Sequence, residues 1–252
     1  MQDKNKREKA LSLILALLVW QGLTLIIGQP IILVGPITVI KRLARLIFSK
    51  EFWRAVIFSG RRISMGFLTA LVTGFVLGLL AGRHKKIETL LWPYMAAVKA
   101  VPVASFVVLC LIWFKSKNLS VVISFLMVLP IIYFGVLSGM KDIDRKMLEM
   151  ATVFKMPSAD RFAIIELPSV YPMLTSGCRS ALAMAWKAGI AAEVIGTPTG
   201  SIGTMLYSAK IYFETGDLLA WTVVIVLCSI LFEKVVLNLL EAMYKWHRNR
   251  KV

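Results

Sequence analysis

Acidic side chains are scarce. The 252 residues hold 14 Asp and Glu against 30 Lys and Arg, a formal net charge of +16. Charge of either sign is thin at 17%, where soluble domains carry roughly 25%. A soluble chain of this size cannot bury 58% hydrophobic residues, which excludes an ordinary soluble enzyme. The same hydrophobicity excludes disorder. Cys110, Cys178 and Cys228 all sit in apolar stretches and cannot pair completely, so there is no disulfide scaffold. His84 and His247 have no Cys or carboxylate partners at ligand spacing and predict no metal site. What remains is an all-α integral membrane protein with basic loops.

A membrane-crossing helix needs about 20 mostly apolar residues. Ala10–Ile27, Ile63–Gly82 and Asn118–Met140 are free of charge. Three more stretches are apolar but interrupted: Thr89–Phe114 by Lys99, Leu167–Ile195 by Arg179, Lys187 and Glu193, and Leu218–Leu240 by Glu233 and Lys234. The pattern predicts six spans. The first apolar run, 18 residues with no small-x-small cleavage pattern after it, reads as a retained anchor rather than a signal peptide. With both termini cytosolic, 16 Lys and Arg fall on the cytosolic side, as loop charge requires. Gln29–Arg62 runs against that rule, with Lys41, Arg42, Arg45, Lys50, Arg54, Arg61 and Arg62 on the outside. Within it, Val39–Phe48 alternates apolar and basic positions at helical spacing and predicts an amphipathic helix lying at the interface. Trp92, Tyr94, Trp113, Tyr133, Tyr171 and Trp246 are expected near span ends, as an aromatic belt. The basic tail, Lys245–Lys251, is expected to meet anionic headgroups.

Small residues recur every fourth position in Gly66, Ala70, Gly74, Gly78 and Gly82, and again in Gly177, Ala181, Ala185 and Gly189. Such rows let helix backbones approach closely in lipid, either within one subunit or between two. Lys187 lies on the opposite helical side from Ala185 and Gly189. Arg179, Lys187 and Glu193 are charges at membrane depth, which face a bundle interior or water, or pair with one another.

Lys141–Pro168 is the informative loop. Lys141–Phe154 has a helical pattern, with Asp142 and Asp144 at its positive end. Met156 precedes Pro157, so the chain turns there. Ser158–Ile165 starts a second short helix, expected to stop at Leu167–Pro168. The result is a cytosolic helix-turn-helix elbow that presents Val153, Phe154 and Met156, or else packs on its own bundle.

Glu149-x-Ala151, the turn, and Ile165-x-Leu167-Pro168 resemble the EAA motif of ATP-binding cassette importer permeases. Met150 stands in place of the motif's first Ala, and Lys155 in place of its Gly. Either Lys155 takes a positive φ at about 1 kcal/mol, or Pro157 supplies the break. The resemblance covers about Ser59–Leu240, through Trp92-Pro93, Val101-Pro102, Ile112-Trp113-Phe114, Leu129-Pro130, Trp186–Glu193 and Gly200–Gly203. It is similar to the nitrate/sulfonate/taurine branch, which also moves bicarbonate and vitamin precursors.

The resemblance implies a type I importer permease fold of six transmembrane helices with a coupling-helix elbow. The expected organisation is an N-terminal anchor and interfacial segment over 1–58, a permease core over 59–240 and a basic cytosolic tail over 241–252. It implies a multi-pass bacterial plasma-membrane protein that is not itself an enzyme. Its implied partners are a cytosolic ATPase dimer, a second permease copy, an extracytoplasmic binding protein and the lipid bilayer, with no nucleic acid. No cofactor is expected on this chain, since it lacks a G-x-x-x-x-G-K-[ST] loop, and ATP with Mg belongs to the ATPase. Glu149, Met150, Ala151, Val153, Phe154, Lys155, Met156 and Pro157 are the expected ATPase-coupling residues. Lys187, Arg179 and Glu193 are the expected pore residues, the cations suiting an anionic solute. The alternatives are a secondary transporter or channel, for which no inverted repeat is visible, and a membrane-embedded enzyme, for which Glu193 is the only deep acid.

Overall fold

Small residues set the packing. In the computed structural model of the chain, which describes residues 2–249, both glycine and alanine rows face a shared central helix. The order is α1 (Gln2–Ile27), α2 (Pro36–Ile47), α3 (Lys50–Arg83), α4 (Lys85–Ala100), α5 (Val103–Trp113) and α6 (Leu119–Lys141). Then come α7 (Arg145–Val153), α8 (Ser158–Arg161), α9 (Leu167–Gly196), α10 (Ile202–Ile211) and α11 (Thr215–Asn249). There is no strand among the described residues. The expected basic tail runs past them, since Arg250 and Lys251 lie outside the described residues, as do the side chains of His247, Lys4, Lys6, Arg7 and Lys9.

The spine is α3, α6 and α9, with α6 in the middle. At Gly66 an added Cβ would strike Val121 O and Ser124, and at Gly189 it would meet Ser124 Oγ at 2.6 Å. Both small rows therefore serve packing inside the subunit, with α6 as the common partner. Ser124 Oγ seals the joint by donating to Ala185 O at 3.0 Å. Trp221 of α11 stacks on Phe52 of α3, with ring centroids 5.3 Å apart.

All six apolar stretches are helical, but they are not six equal spans. Length and composition qualify α3, α6 with the short 3-10 turn before it, and α11 as crossing helices. The α4–α5 pair is a fourth if taken as one broken span, since its arms are bent by 106°. The cause is Val101-Pro102: the residue before proline is driven to extended backbone, here ψ 132, and Pro102 opens α5. A shorter apolar stretch, Ile14–Ile27, lies in α1, and Arg179, Lys187 and Glu193 interrupt α9. α3 exceeds its expected range because Ser49 caps it, accepting from Phe52 N–H at 3.1 Å. Its 34 residues give roughly 51 Å at about 1.5 Å each.

The amphipathic α2 forms as expected. It presses Val39, Leu43 and Leu46 on Ala220 and Val223 of α11, where Trp20 of α1 joins them. Four of the expected belt residues, Trp92, Tyr94, Trp113 and Trp246, are exposed. Tyr133 is not. It is fully buried against Phe134 and Met95, because it sits mid-helix on the core side of α6.

The elbow and the open face of α9

The two ends of the bundle differ. One gathers Arg83, Lys141, α7, α8 and the start of α9. The other gathers α2, α10 and the starts of α3, α6 and α11.

At the first end, the expected helix Lys141–Phe154 is broken in two. Lys141 ends α6, and Asp144 caps α7 by accepting from Lys146 N–H at 2.9 Å. An acid at this place satisfies an orphan N–H and favours the helix dipole. α7 buries Ala151 and half-buries Leu148, and Ile143 just before it is buried too. The outer side shows Met147, Glu149, Met150, Val153 and Phe154, the last two 77% and 75% exposed. Apolar side chains so far out of the core form an exposed apolar patch, the kind of surface that a protein contact covers.

The turn that ends α7 settles the Lys155 alternative in favour of a positive φ. Lys155 has φ 48. Its N–H donates to Thr152 O at 3.1 Å, and Met156 N–H reaches back to Ala151 O at 2.9 Å. That pair of bonds is a Schellman termination with Lys at the position that glycine usually holds. Met156 is turned into the core cluster rather than presented, which corrects the expectation for that residue. Pro157 is exposed and leads into α8. The helix does not stop at Leu167–Pro168. A π turn, Phe162–Glu166, carries it on, and Leu167 N–H bonds five residues back to Phe162 O. Pro168, which has no N–H to offer, follows this widened turn.

Glu166 was hidden in the motif's variable position. It is 0% exposed. Arg83 grips it from α3, with Nη2 2.6 Å from Oε2 and Nε 3.1 Å from the same oxygen. Arg161 Nε lies 3.2 Å from Oε1 as an ion pair without a directed hydrogen bond. The available signal was an acid directly before a proline-led membrane helix, which needs a cation to be buried there.

On α9, Ser176, Arg179, Ser180 and Lys187 are exposed and fall on one side, with half-buried Ala183 and Ala191 between them. Beside this strip Met184 and Ala188 pack with Val107 and Cys110 of α5. On its other flank Trp186 meets Phe232 of α11, centroids 6.3 Å apart. The strip is thus an open groove floor between α5 and α11. Among the described residues neither Arg179 nor Lys187 forms an ion pair. Each would cost about 3 kcal/mol against lipid, so the groove faces water or protein.

Glu193 does not lie on that strip. It is 0% exposed on the far side of α9, where its Oε2 accepts from Ser59 Oγ at 2.6 Å and Gly203 N–H at 3.3 Å. The Lys187–Glu193 pair is therefore not formed. An added Cβ on Gly203 would overlap Glu193, so glycine is required for this approach. No group of three or more His, Cys, Asp and Glu that could hold a metal occurs among the described residues.

Comparison with known proteins agrees with the motif. Residues 74–248 match the family model described as binding-protein-dependent transport system inner membrane component. A putative aliphatic sulfonates transport permease protein of Bacillus subtilis is 26% identical over 86% of this chain and 79% of its own length. A taurine transport system permease protein of Escherichia coli is 25% identical, covering 90% and 85%. A nitrate import permease protein of Synechococcus elongatus is 28% identical, covering 80% and 75%. These relatives are permease subunits rather than enzymes, and they fall in the branch that the motifs resemble. The chain belongs to the binding-protein-dependent transport system inner membrane components, the multi-pass permeases of ATP-binding cassette transporters.

Proposed function

We infer that this chain is one of two identical permease subunits of an ATP-driven importer for a small anionic solute. The observation that carries the reading is the elbow: a capped nine-residue helix that holds Val153 and Phe154 out of the core beside Glu149. Its occupant is a cleft in a cytosolic ATPase subunit, one for each permease copy. Glu149, Met150, Val153 and Phe154 make the contact. Ala151 and Met156 seat the elbow on its own bundle, and Lys155 and Pro157 set its angle. ATP with Mg is bound and hydrolysed on the ATPase dimer, and this chain carries no cofactor.

The open face of α9 lines the solute path, with a second copy closing the groove. Lys187 and Arg179 are eight residues apart, roughly 12 Å along the helix, and supply positive potential, with no carboxylate paired to either among the described residues. The relatives are named for aliphatic sulfonates, taurine and nitrate, and each of these carries an anionic oxygen cluster. Glu193 is assigned to the scaffold. An extracytoplasmic binding protein delivers the solute to the end that carries α2 and α10. The chain crosses a bacterial plasma membrane six times, with the elbow and both termini in the cytosol, and binds no nucleic acid.

The test is copurification. Glu149→Lys reverses a charge on the docking surface and should strip the ATPase subunit from the detergent-purified complex while the permease still inserts. Full ATPase stoichiometry in that variant, with transport intact, would remove the elbow from the interface.

A further inference from the structure

Two ion pairs at the elbow end converge on one corner. At the entrance to the elbow, Lys141 Nζ, on the last residue of α6, lies 2.6 Å from Glu88 Oε1 in the first turn of α4. At its exit, Glu166 is held by Arg83, the last residue of α3. Only His84 separates α3 from α4, and it caps both. The chain from Asp142 to Ile165 is therefore pinned at both ends to the same joint.

That joint is where a firm element meets a loose one. α6 and α9 each bury 13 residues, whereas α4 buries only Met95 and α5 only Val107 and Cys110. The bent α4–α5 pair has far less core to hold it than α6 or α9 and is the wall beside Lys187. Glu166 is buried and the Lys141–Glu88 pair is exposed; neither kind of ion pair stabilises as apolar packing does, so two at one hinge serve geometry. Arg161, paired to the other oxygen of Glu166, keeps that carboxylate compensated if Arg83 shifts.

We propose that Glu166–Arg83 and Lys141–Glu88 form a two-point clamp that passes displacement of the elbow to the α4–α5 wall of the groove. The four are positioning residues. The proposal rests on the reading that the elbow docks an ATPase, so its test carries a separate control for docking.

The experiment uses the full permease–ATPase complex in proteoliposomes, with Cys110, Cys178 and Cys228 changed to alanine and Ile112→Cys placed on exposed α5. Maleimide labelling of that cysteine is measured with and without Mg-ATP and vanadate. The unmodified clamp should show a nucleotide-dependent change in labelling rate of about fivefold or more. Lys141→Glu, at the exposed point, should abolish the change while the ATPase stays bound and hydrolyses ATP, and Lys141→Glu with Glu88→Lys should restore it. Glu166→Gln should act like Lys141→Glu. Because it strands two arginines and can unfold the corner, the exposed point decides. No nucleotide-dependent change with the clamp intact, or an unaltered change in Lys141→Glu, overturns the relay. Glu149→Lys in the same preparation reports docking alone: if it retains the ATPase, the docking reading falls, whatever α5 does.

Discussion

Ser59 of α3 donates to Glu193 of α9 at 2.6 Å, and the same hydroxyl accepts from Ile202 N–H at the start of α10 at 3.0 Å. One serine thus joins three helices at the end remote from the elbow. Removing it orphans the buried Ile202 N–H and leaves Glu193 Oε2 with only the longer bond from Gly203 N–H. Ser59→Ala should destabilise the permease by about 1–3 kcal/mol, seen as a lower unfolding temperature in detergent. An unchanged unfolding temperature would show that the contact is dispensable.

Lys187 and Glu193 lie on different sides of α9, so they should not couple. Lys187→Met should assemble and melt normally but lose stimulation of ATP hydrolysis by solute-loaded binding protein. Adding Glu193→Gln should rescue nothing, because distant sites with no shared partner are additive. A double-mutant rescue of the melting temperature would put the two side chains in one network instead.

Lys155 should tolerate glycine and reject proline. At φ 48, glycine relieves roughly 1 kcal/mol of backbone strain, partly offset by its freer unfolded chain. Lys155→Gly should be neutral to slightly stabilising. Lys155→Pro cannot reach a positive φ and also loses the N–H that donates to Thr152 O. It should free the elbow and release the ATPase on copurification. Retention of the ATPase by the proline variant would contradict the turn's role.

Orientation is open to cysteine labelling from outside sealed cells. Lys117→Cys and Lys210→Cys should react, and Ser158→Cys should not; all three sites are exposed. Ser201 is unsuitable, since it is buried where it caps α10. Outside label on Ser158→Cys would invert the topology.

The apolar stretches, the small-residue rows and the elbow were legible because lipid imposes simple rules on composition: long apolar runs, and Gly or Ala wherever backbones touch. The break at Asp142–Asp144 was missed although Asp144 is a good cap, because the helical period runs through it unbroken. The 106° bend was missed because Val101-Pro102 sits inside an apolar run long enough for one straight span. α10 carries no amphipathic period to mark it in the sequence; its start is signalled only by Ser201 after Gly200. Glu166 was overlooked because its partner Arg83 lies 83 positions away, and pairing at that distance leaves no mark in a single sequence. Arg179 and Lys187 were visible as costly charges, but that they share a face while Glu193 does not depends on where α5 and α11 pack.

The most direct test is solute uptake into proteoliposomes, with radiolabelled taurine, nitrate and an aliphatic sulfonate as probes and ATP enclosed on the elbow side. The account predicts accumulation of at least one probe only when the permease, its ATPase and the solute-binding protein are all present, with none under an ion gradient alone. Accumulation by the permease by itself, driven by a proton or sodium gradient, would contradict it.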